Sequence, residues 1–256
     1  MKLVRFFWRQ ETHWGVLEDD QIFAISGSVY GEFQKGDVIG RLDDVKLLAP
    51  AEPSIMVCIG VNYRKATNAS GDTVTDERPV PRCFFKPINT LMNPFEGVRY
   101  PAATDEPYAE VELCAVIKRH AKDVPKEKAS DYILGYTVGN ELGALDFIRQ
   151  DKNVTRGRGF DTSCPIGPWI VTDLDPANIK LTGRINGEVK QEGTTADMIF
   201  NVSELVAHIT SFMTLQPGDV VWSGTPPSRT PVKPGDVIEA EIEGIGVLRN
   251  EVLTPR

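Results

Sequence analysis

The run Tyr108-Ala109-Glu110-Val111-Glu112-Leu113-Cys114-Ala115-Val116-Ile117 constrains the fold more than any other stretch of this chain. It alternates, and strand side chains alternate faces with period two. A strand here puts Glu110, Glu112 and Cys114 on one face and Val111, Leu113 and Ala115 on the other. Two carboxylates side by side on an otherwise apolar strand repel each other, and burying them is costly. A hard divalent cation is the simplest compensation. A solvated strand face with two spare acids is the alternative that the pattern leaves open.

The bulk properties narrow the rest. A chain of 256 residues can bury a sizeable core, as one large domain or a large one plus a small one. The net charge of −8 argues against a nucleic-acid surface, which needs a basic patch. No apolar run approaches the roughly 18 residues of a membrane span. The start, Met-Lys-Leu-Val-Arg-Phe-Phe-Trp-Arg, carries charge throughout and lacks a small-residue cleavage site, unlike a signal peptide. Cys58, Cys83, Cys114 and Cys164 are widely spaced and read as reduced thiols. These features predict a soluble cytoplasmic protein with no nucleic-acid or membrane partner.

Residues 1–52 predict a small β-rich domain, with Leu3–Phe7, His13–Leu17 and Gln21–Ile25 as its first strands. Prolines at 50 and 53 mark the boundary, and residues 53–256 form the larger domain. Ile55–Gly60 reads as a buried strand. The polar segment 65–79, with Asp72, Asp76 and Glu77, reads as a lid formed by a mobile loop or a short helix. Lys126–Tyr132 reads as a short helix, and Ile133–Gly139 as a strand ending at Asn140-Glu141, which puts a third acid at a strand end. Residues 151–164 read as a loop. Asn186-Gly187 between alternating arms signals a hairpin. Ser203–Leu215 predicts a helix with a Ser cap and an apolar stripe of Leu205, Ile209, Phe212 and Met213. Val237–Val252 predicts two more strands around Glu243–Gly246. The fold class is mainly β (α+β), with few helices, no repeat, no dinucleotide-binding glycine fingerprint and no P-loop.

Taken in order, Cys58–Arg64, Phe84–Pro87, Glu110–Leu113, Asp131–Asn140, Gly159–Trp169, Asp197–Phe200, Ser223–Pro226, Lys233–Asp236 and Gly244–Gly246 resemble the fumarylacetoacetate hydrolase family. Its 2-hydroxyhepta-2,4-diene-1,7-dioate isomerase and acylpyruvate hydrolase members are the nearest in kind. The resemblance covers about residues 55 to 250, with residues 1–50 as the small N-terminal domain. It implies a mixed β-roll, usually a homodimer, that uses Mg²⁺ or Mn²⁺ on 2-oxo acids and their enols. The implied ligands are Glu110, Glu112 and Glu141, the last where Asp is usual. Arg158 falls where a substrate-facing Lys is usual; it keeps the charge but cannot shed a proton. Thr225 and Gly224 fall in the Gly-Thr-Pro loop that holds a substrate carboxylate, and Tyr63 and Lys86 fall in the other substrate-binding motifs. Arg158 and Glu141 are the implied catalytic pair.

Hydrolytic members carry a His and a Glu after the Asn-Tyr motif, as a dyad that activates water. Those positions are Ala66 and Ala69 here, and a methyl group cannot move a proton. His13, His120 and His208 offer no evident replacement, whereas Asp72, Asp76 or Glu77 could swing in from the lid. Enol tautomerisation, isomerisation or decarboxylation is therefore expected over C–C hydrolysis. Two alternatives stay open: an acylpyruvate-type hydrolase, and a catalytically impaired relative that only binds metal or metabolite.

Overall fold

The computed structural model describes residues 1–66 and 80–255. The lid residues Asp72, Asp76 and Glu77, and Ala69, lie outside them.

The chain opens with β1 (Lys2–Trp8), β2 (Glu11–Glu18), β3 (Gln21–Gly27), β4 (Phe33–Arg41) and the short β5 (Lys46–Leu47). Then come β6 (Met56–Ile59), β7 (Cys83–Lys86), β8 (Leu91–Met92), β9 (Pro107–Ile117) and β10 (Ile133–Ala144). Two short helices, α1 (Leu145–Asp151) and α2 (Thr155–Arg158), lead to β11 (Cys164–Val171). After the hairpin β12 (Lys180–Ile185) and β13 (Glu188–Thr194) comes α3 (Val202–Phe212), the longest helix among the described residues. The chain closes with β14 (Val220–Trp222), β15 (Thr230–Pro231), β16 (Val237–Ile242) and β17 (Gly246–Glu251). The fold is the expected mostly β architecture, a large mixed sheet with few helices.

The main sheet runs β4-β3-β2-β1-β11-β10-β9-β14-β6-β7, and β13-β12-β16-β17 forms a second sheet. The N-terminal strands continue directly into the larger part, because β1 pairs antiparallel with β11. β9 lies deep inside, between two apolar layers. Val111, Leu113, Ala115 and Ile117 pack against Leu205, Val206 and Ile209 of α3 and against Leu181 and Ile242 of the second sheet. Cys114 and Val116 pack on the opposite side against Trp222, Met56, Cys58, Ile166 and Leu3. With Leu113 fully buried, truncating it to alanine would cost about 2–5 kcal/mol. The four cysteines are free thiols. No helix among the described residues is long and apolar enough to cross a membrane.

Four local expectations need correction. The third acid is not at a strand end: Glu141 sits inside β10, which runs on to Ala144 because it pairs with β9 back to Pro107. Residues 155–158, inside the 151–164 stretch read as a loop, form the helix α2, and α1 precedes it over Leu145–Asp151. α1 forms because it buries Phe147 and Ile148, and the Asn153 side chain accepts from the backbone N–H and hydroxyl of Thr155 to start α2. α3 is capped by Asn201, not Ser203; the Asn201 side chain accepts from Glu204 N–H while the Glu204 carboxylate accepts from Asn201 N–H. Phe212 is off the buried stripe and 52% exposed.

Candidate metal centre

Three carboxylates converge at the floor of a cavity of about 510 Å³. Glu110 and Glu112 share a face of β9, and the β9–β10 register puts Glu141 directly opposite Glu110. Directly opposed residues of an antiparallel pair project to the same side, so strand pairing alone assembles the trio. One oxygen from each lies within 4.8 Å of the others, and all three residues are buried. The solvated-face alternative for Glu110 and Glu112 is thereby ruled out.

Each carboxylate is held by a different set of partners. Arg158, at the end of α2, places its Nη2 2.7 Å from Glu110 Oε2 and its Nη1 2.6 Å from Glu141 Oε2. Glu112 Oε2 accepts from the backbone N–H of Gly224 at 2.9 Å. Gly224 has φ +89°, and a Cβ there would lie 2.8 Å from Asn62 Cβ, so the turn that presents this N–H needs glycine. Asn62 is itself locked: it donates to the carbonyls of Phe200 and Ser223 and accepts from Phe200 N–H. Lys86, fully buried, donates to Ser163 O at 2.8 Å and lies 3.8 Å from Glu141 Oε1. That oxygen accepts no hydrogen bond among the described residues.

Burial raises the Glu112 carboxyl well above the ordinary carboxylate range, and the charges of Glu141 and Glu110 push it further up. A cation would relieve this strain. Three buried hard-oxygen donors, one with an orphaned oxygen, fit Mg²⁺ or Mn²⁺.

The other expected site residues divide. Thr225 lines the cavity, but its hydroxyl donates to Val111 O and accepts from Gln191 Nε2. Gly224 serves Glu112 rather than the cavity. Tyr63 is fully buried in the core, and neither it nor Lys86 is among the described residues that line the cavity. Ala66 lines the cavity, where it presents a methyl group.

Sequence reasoning missed several residues. Gln191 couples β13 to β9 and to the 225–226 loop: its side chain accepts from Val111 N–H and donates to Thr225 Oγ1 and Pro226 O. Nothing in its local sequence signals this. Leu145 and Ile148 of α1 make an apolar wall. Arg229 brings its Nε 3.5 Å from Glu110 Oε1 at the cavity edge, and its place just beyond Gly224-Thr225-Pro226 was the available clue. Tyr108, two residues before Glu110, lies between the two arginines, 4.9 Å from Arg158 and 5.7 Å from Arg229, ring centroid to guanidinium.

The family described as fumarylacetoacetate (FAA) hydrolase C-terminal matches residues 55–253, and one described as Rv2993c-like, N-terminal, matches residues 1–50. The human mitochondrial oxaloacetate tautomerase FAHD2A is 37% identical over 223 residues, which cover 82% of this chain and 70% of that protein. A 5-carboxymethyl-2-hydroxymuconate delta-isomerase from Mycobacterium smegmatis superposes with a TM-score of 0.91 at 36% identity, over 99% of this chain and 100% of that one. A maleylpyruvate hydrolase from Sphingobium, solved with manganese(II) and pyruvate, superposes with a TM-score of 0.80 at 25% identity, over the whole of both chains. A carboxylate trio built by strand register, inside a matching fold and a matching sequence, has one reading: this chain belongs to the fumarylacetoacetate hydrolase family.

Proposed function

We propose that this chain is a divalent-metal-dependent enzyme that takes a 2-oxo or enol carboxylate, dicarboxylates included, through its enolate, by tautomerisation, isomerisation or decarboxylation. The observation that carries this reading is the buried Glu110–Glu112–Glu141 trio, under a cavity whose described lining contains no histidine. Mg²⁺ or Mn²⁺ held by the trio would supply Lewis acidity toward the 2-oxo group and ease loss of a proton or CO₂ next to it. Glu141 would be a ligand rather than a proton carrier.

Arg158 is a fixed cation at the cavity floor, so it orients a substrate carboxylate without exchanging protons. Leu145 and Ile148 keep water from one side. Thr225 would release its bond to Val111 O in order to donate to a ligand. The likeness to an oxaloacetate tautomerase and an isomerase supports chemistry that needs no activated water.

C–C hydrolysis of an acylpyruvate-type substrate is a second reading, favoured by the likeness to maleylpyruvate hydrolase. Product analysis by NMR on oxaloacetate and a simple acylpyruvate, each with Mg²⁺ or Mn²⁺, separates the two. Faster enol–keto exchange, or pyruvate plus CO₂, with the acylpyruvate intact is the expected result. Cleavage of the acylpyruvate into pyruvate and a free acid would put hydrolysis first. The same reading makes the protein a homodimer, to be checked by light scattering.

A further inference from the structure

The two short helices between β10 and β11 sort their side chains by chemistry. α1 follows β10 without a break, and its first residue, Leu145, comes four after Glu141. One face of α1 is pinned to the segment before β9: Arg149 pairs with Glu106, and the Asp146 carboxylate accepts from the Thr104 hydroxyl and the Asp105 N–H. Residues three apart share a helix face, so Asp146 and Arg149 make the pinned face, and Leu145 and Ile148 make the neighbouring one, which lines the cavity.

α2 completes this wall. Gly157 lies against Ile148, where any side chain would collide with it, so glycine lets the two helices meet. The Val154 carbonyl accepts from Arg158 N–H at 2.8 Å, which puts the two residues one helical turn, about 5.4 Å, apart along α2. Val154 lines the cavity too. One packed pair of helices therefore carries both the cation of the floor and an apolar wall, a short alkyl chain's length apart.

The wall is apolar surface without a cover. Leu145 and Val154 are only half-buried, and neither they nor Ile148 belong to an apolar cluster of the core among the described residues. Phe147, by contrast, is covered by Arg156, whose guanidinium lies 3.9 Å from its ring centroid. A carboxylate set against Leu145 and Val154 would lose hydration with no partner in exchange. A methylene buried there strengthens binding about fourfold. Space for a tail exists as well: about 510 Å³ equals roughly seventeen water volumes, and the head of a 2-oxo acid has only six non-hydrogen atoms.

We propose that Leu145, Ile148 and Val154 form a subsite for a hydrocarbon tail, and so make the chain prefer 2-oxo acids whose far end is apolar. This inference rests on the reading of the trio as a divalent-metal site that takes a 2-oxo acid, and narrows it.

The test is calorimetric binding to the Mn²⁺-loaded protein of pyruvate, 2-oxohexanoate and 2-oxoadipate. The first has no tail beyond its methyl, and the other two differ only in whether the sixth carbon is a methyl or a carboxylate. The expected result is that 2-oxohexanoate binds about ten- to sixty-fold tighter than pyruvate, the gain from burying up to three methylenes, and tighter than 2-oxoadipate. Leu145→Asn and Val154→Thr, both close to isosteric, should each lower the ratio of 2-oxohexanoate to pyruvate affinity several-fold, whereas Leu145→Met should retain it. Equal binding of pyruvate and 2-oxohexanoate by the parent protein, or tighter binding of 2-oxoadipate, would overturn the subsite while leaving the 2-oxo acid site standing. A ratio unmoved in both polar variants would overturn it too. Loss of all three acids together in those variants would make the wall a support of the floor and overturn the subsite. Failure of the loaded parent protein to bind any of the three would overturn both this inference and the reading beneath it.

Discussion

Glu110 and Glu141 are direct partners across the β9–β10 ladder, and Arg158 bridges them at 2.7 and 2.6 Å. Like charges placed opposite each other in a sheet destabilise it, so this pair persists only because a cation lies between. Arg158→Leu should therefore cost about 3–5 kcal/mol, as expected when one partner of a buried ion pair is removed. Urea unfolding should show the loss, and millimolar Mn²⁺ should recover much of it. Arg158→Lys, with a single ammonium in place of the fork, should fall between the two.

Mn²⁺ itself should stabilise the folded protein. At a hundred times the Kd the gain is about 2.7 kcal/mol, or roughly 5–10 °C in Tm for a chain of this size. Glu112→Gln should abolish the shift while the fold persists, since the amide removes charge from a crowded, buried cluster. An equal shift in the variant would place the ion elsewhere.

Acid–base linkage at Glu112 has a definite sign. Burial, and then Glu141 and Glu110, raise its carboxyl above the usual 4.5, so the folded state holds this proton more tightly than the unfolded one. After chelator treatment, its contribution is fully present below about pH 4.5 and is lost as pH rises through the raised folded-state value. Metal affinity should move the other way, weakening toward acid as protons compete for the ligand. Paired melts of the parent protein and Glu112→Gln across pH 4–9 isolate this term, and the variant should lack both slopes.

Gly224→Ala tests the loop that feeds Glu112. The positive φ and the 2.8 Å approach to Asn62 Cβ make a methyl group costly, by about 1–3 kcal/mol. Because the displaced N–H is the one donated to Glu112, the Mn²⁺-dependent shift in Tm should shrink as well. Unchanged metal stabilisation in a destabilised variant would show that this hydrogen bond does not position the ligand.

Gln191→Leu should act at a distance from the metal. It cuts the ties of β13 to Val111, Thr225 and Pro226, leaving polar groups unpaired at a cost of about 1–3 kcal/mol. Substrate KM should rise more than kcat falls, because the 225–226 loop loosens while the trio stays in place. Steady-state kinetics with the substrate identified by NMR would decide this.

How much of the site the sequence revealed depended on the kind of contact involved. Glu110 and Glu112 were legible because a period of two is a local property of the strand. Glu141 was legible as an acid but misplaced at a strand end, since Gly139-Asn140 reads locally as a stop. It is pairing with a distant strand that carries β10 onward to Ala144. The helix cap moved from Ser203 to Asn201 because Asn201 and Glu204 cap each other reciprocally, and the preceding Phe200 is held at its N–H and carbonyl by the distant Asn62. Gln191 was invisible as a site residue, and Arg229 was signalled only by its place just beyond Gly224-Thr225-Pro226: their positions follow from which loops meet at the cavity.

The pairing of β1 with β11 ties the first strands of the chain to the strand beside β10, and Leu3 and Val16 share an apolar cluster with Ile170 and Trp222. The first fifty residues are thus the selvedge of the same woven cloth. A truncated gene product starting near residue 53 would present β11 as a raw border, with its backbone groups open to a neighbouring chain. Any replacement of this leading segment would have to preserve the seam between β1 and β11, which limits what can precede the larger part of the fold.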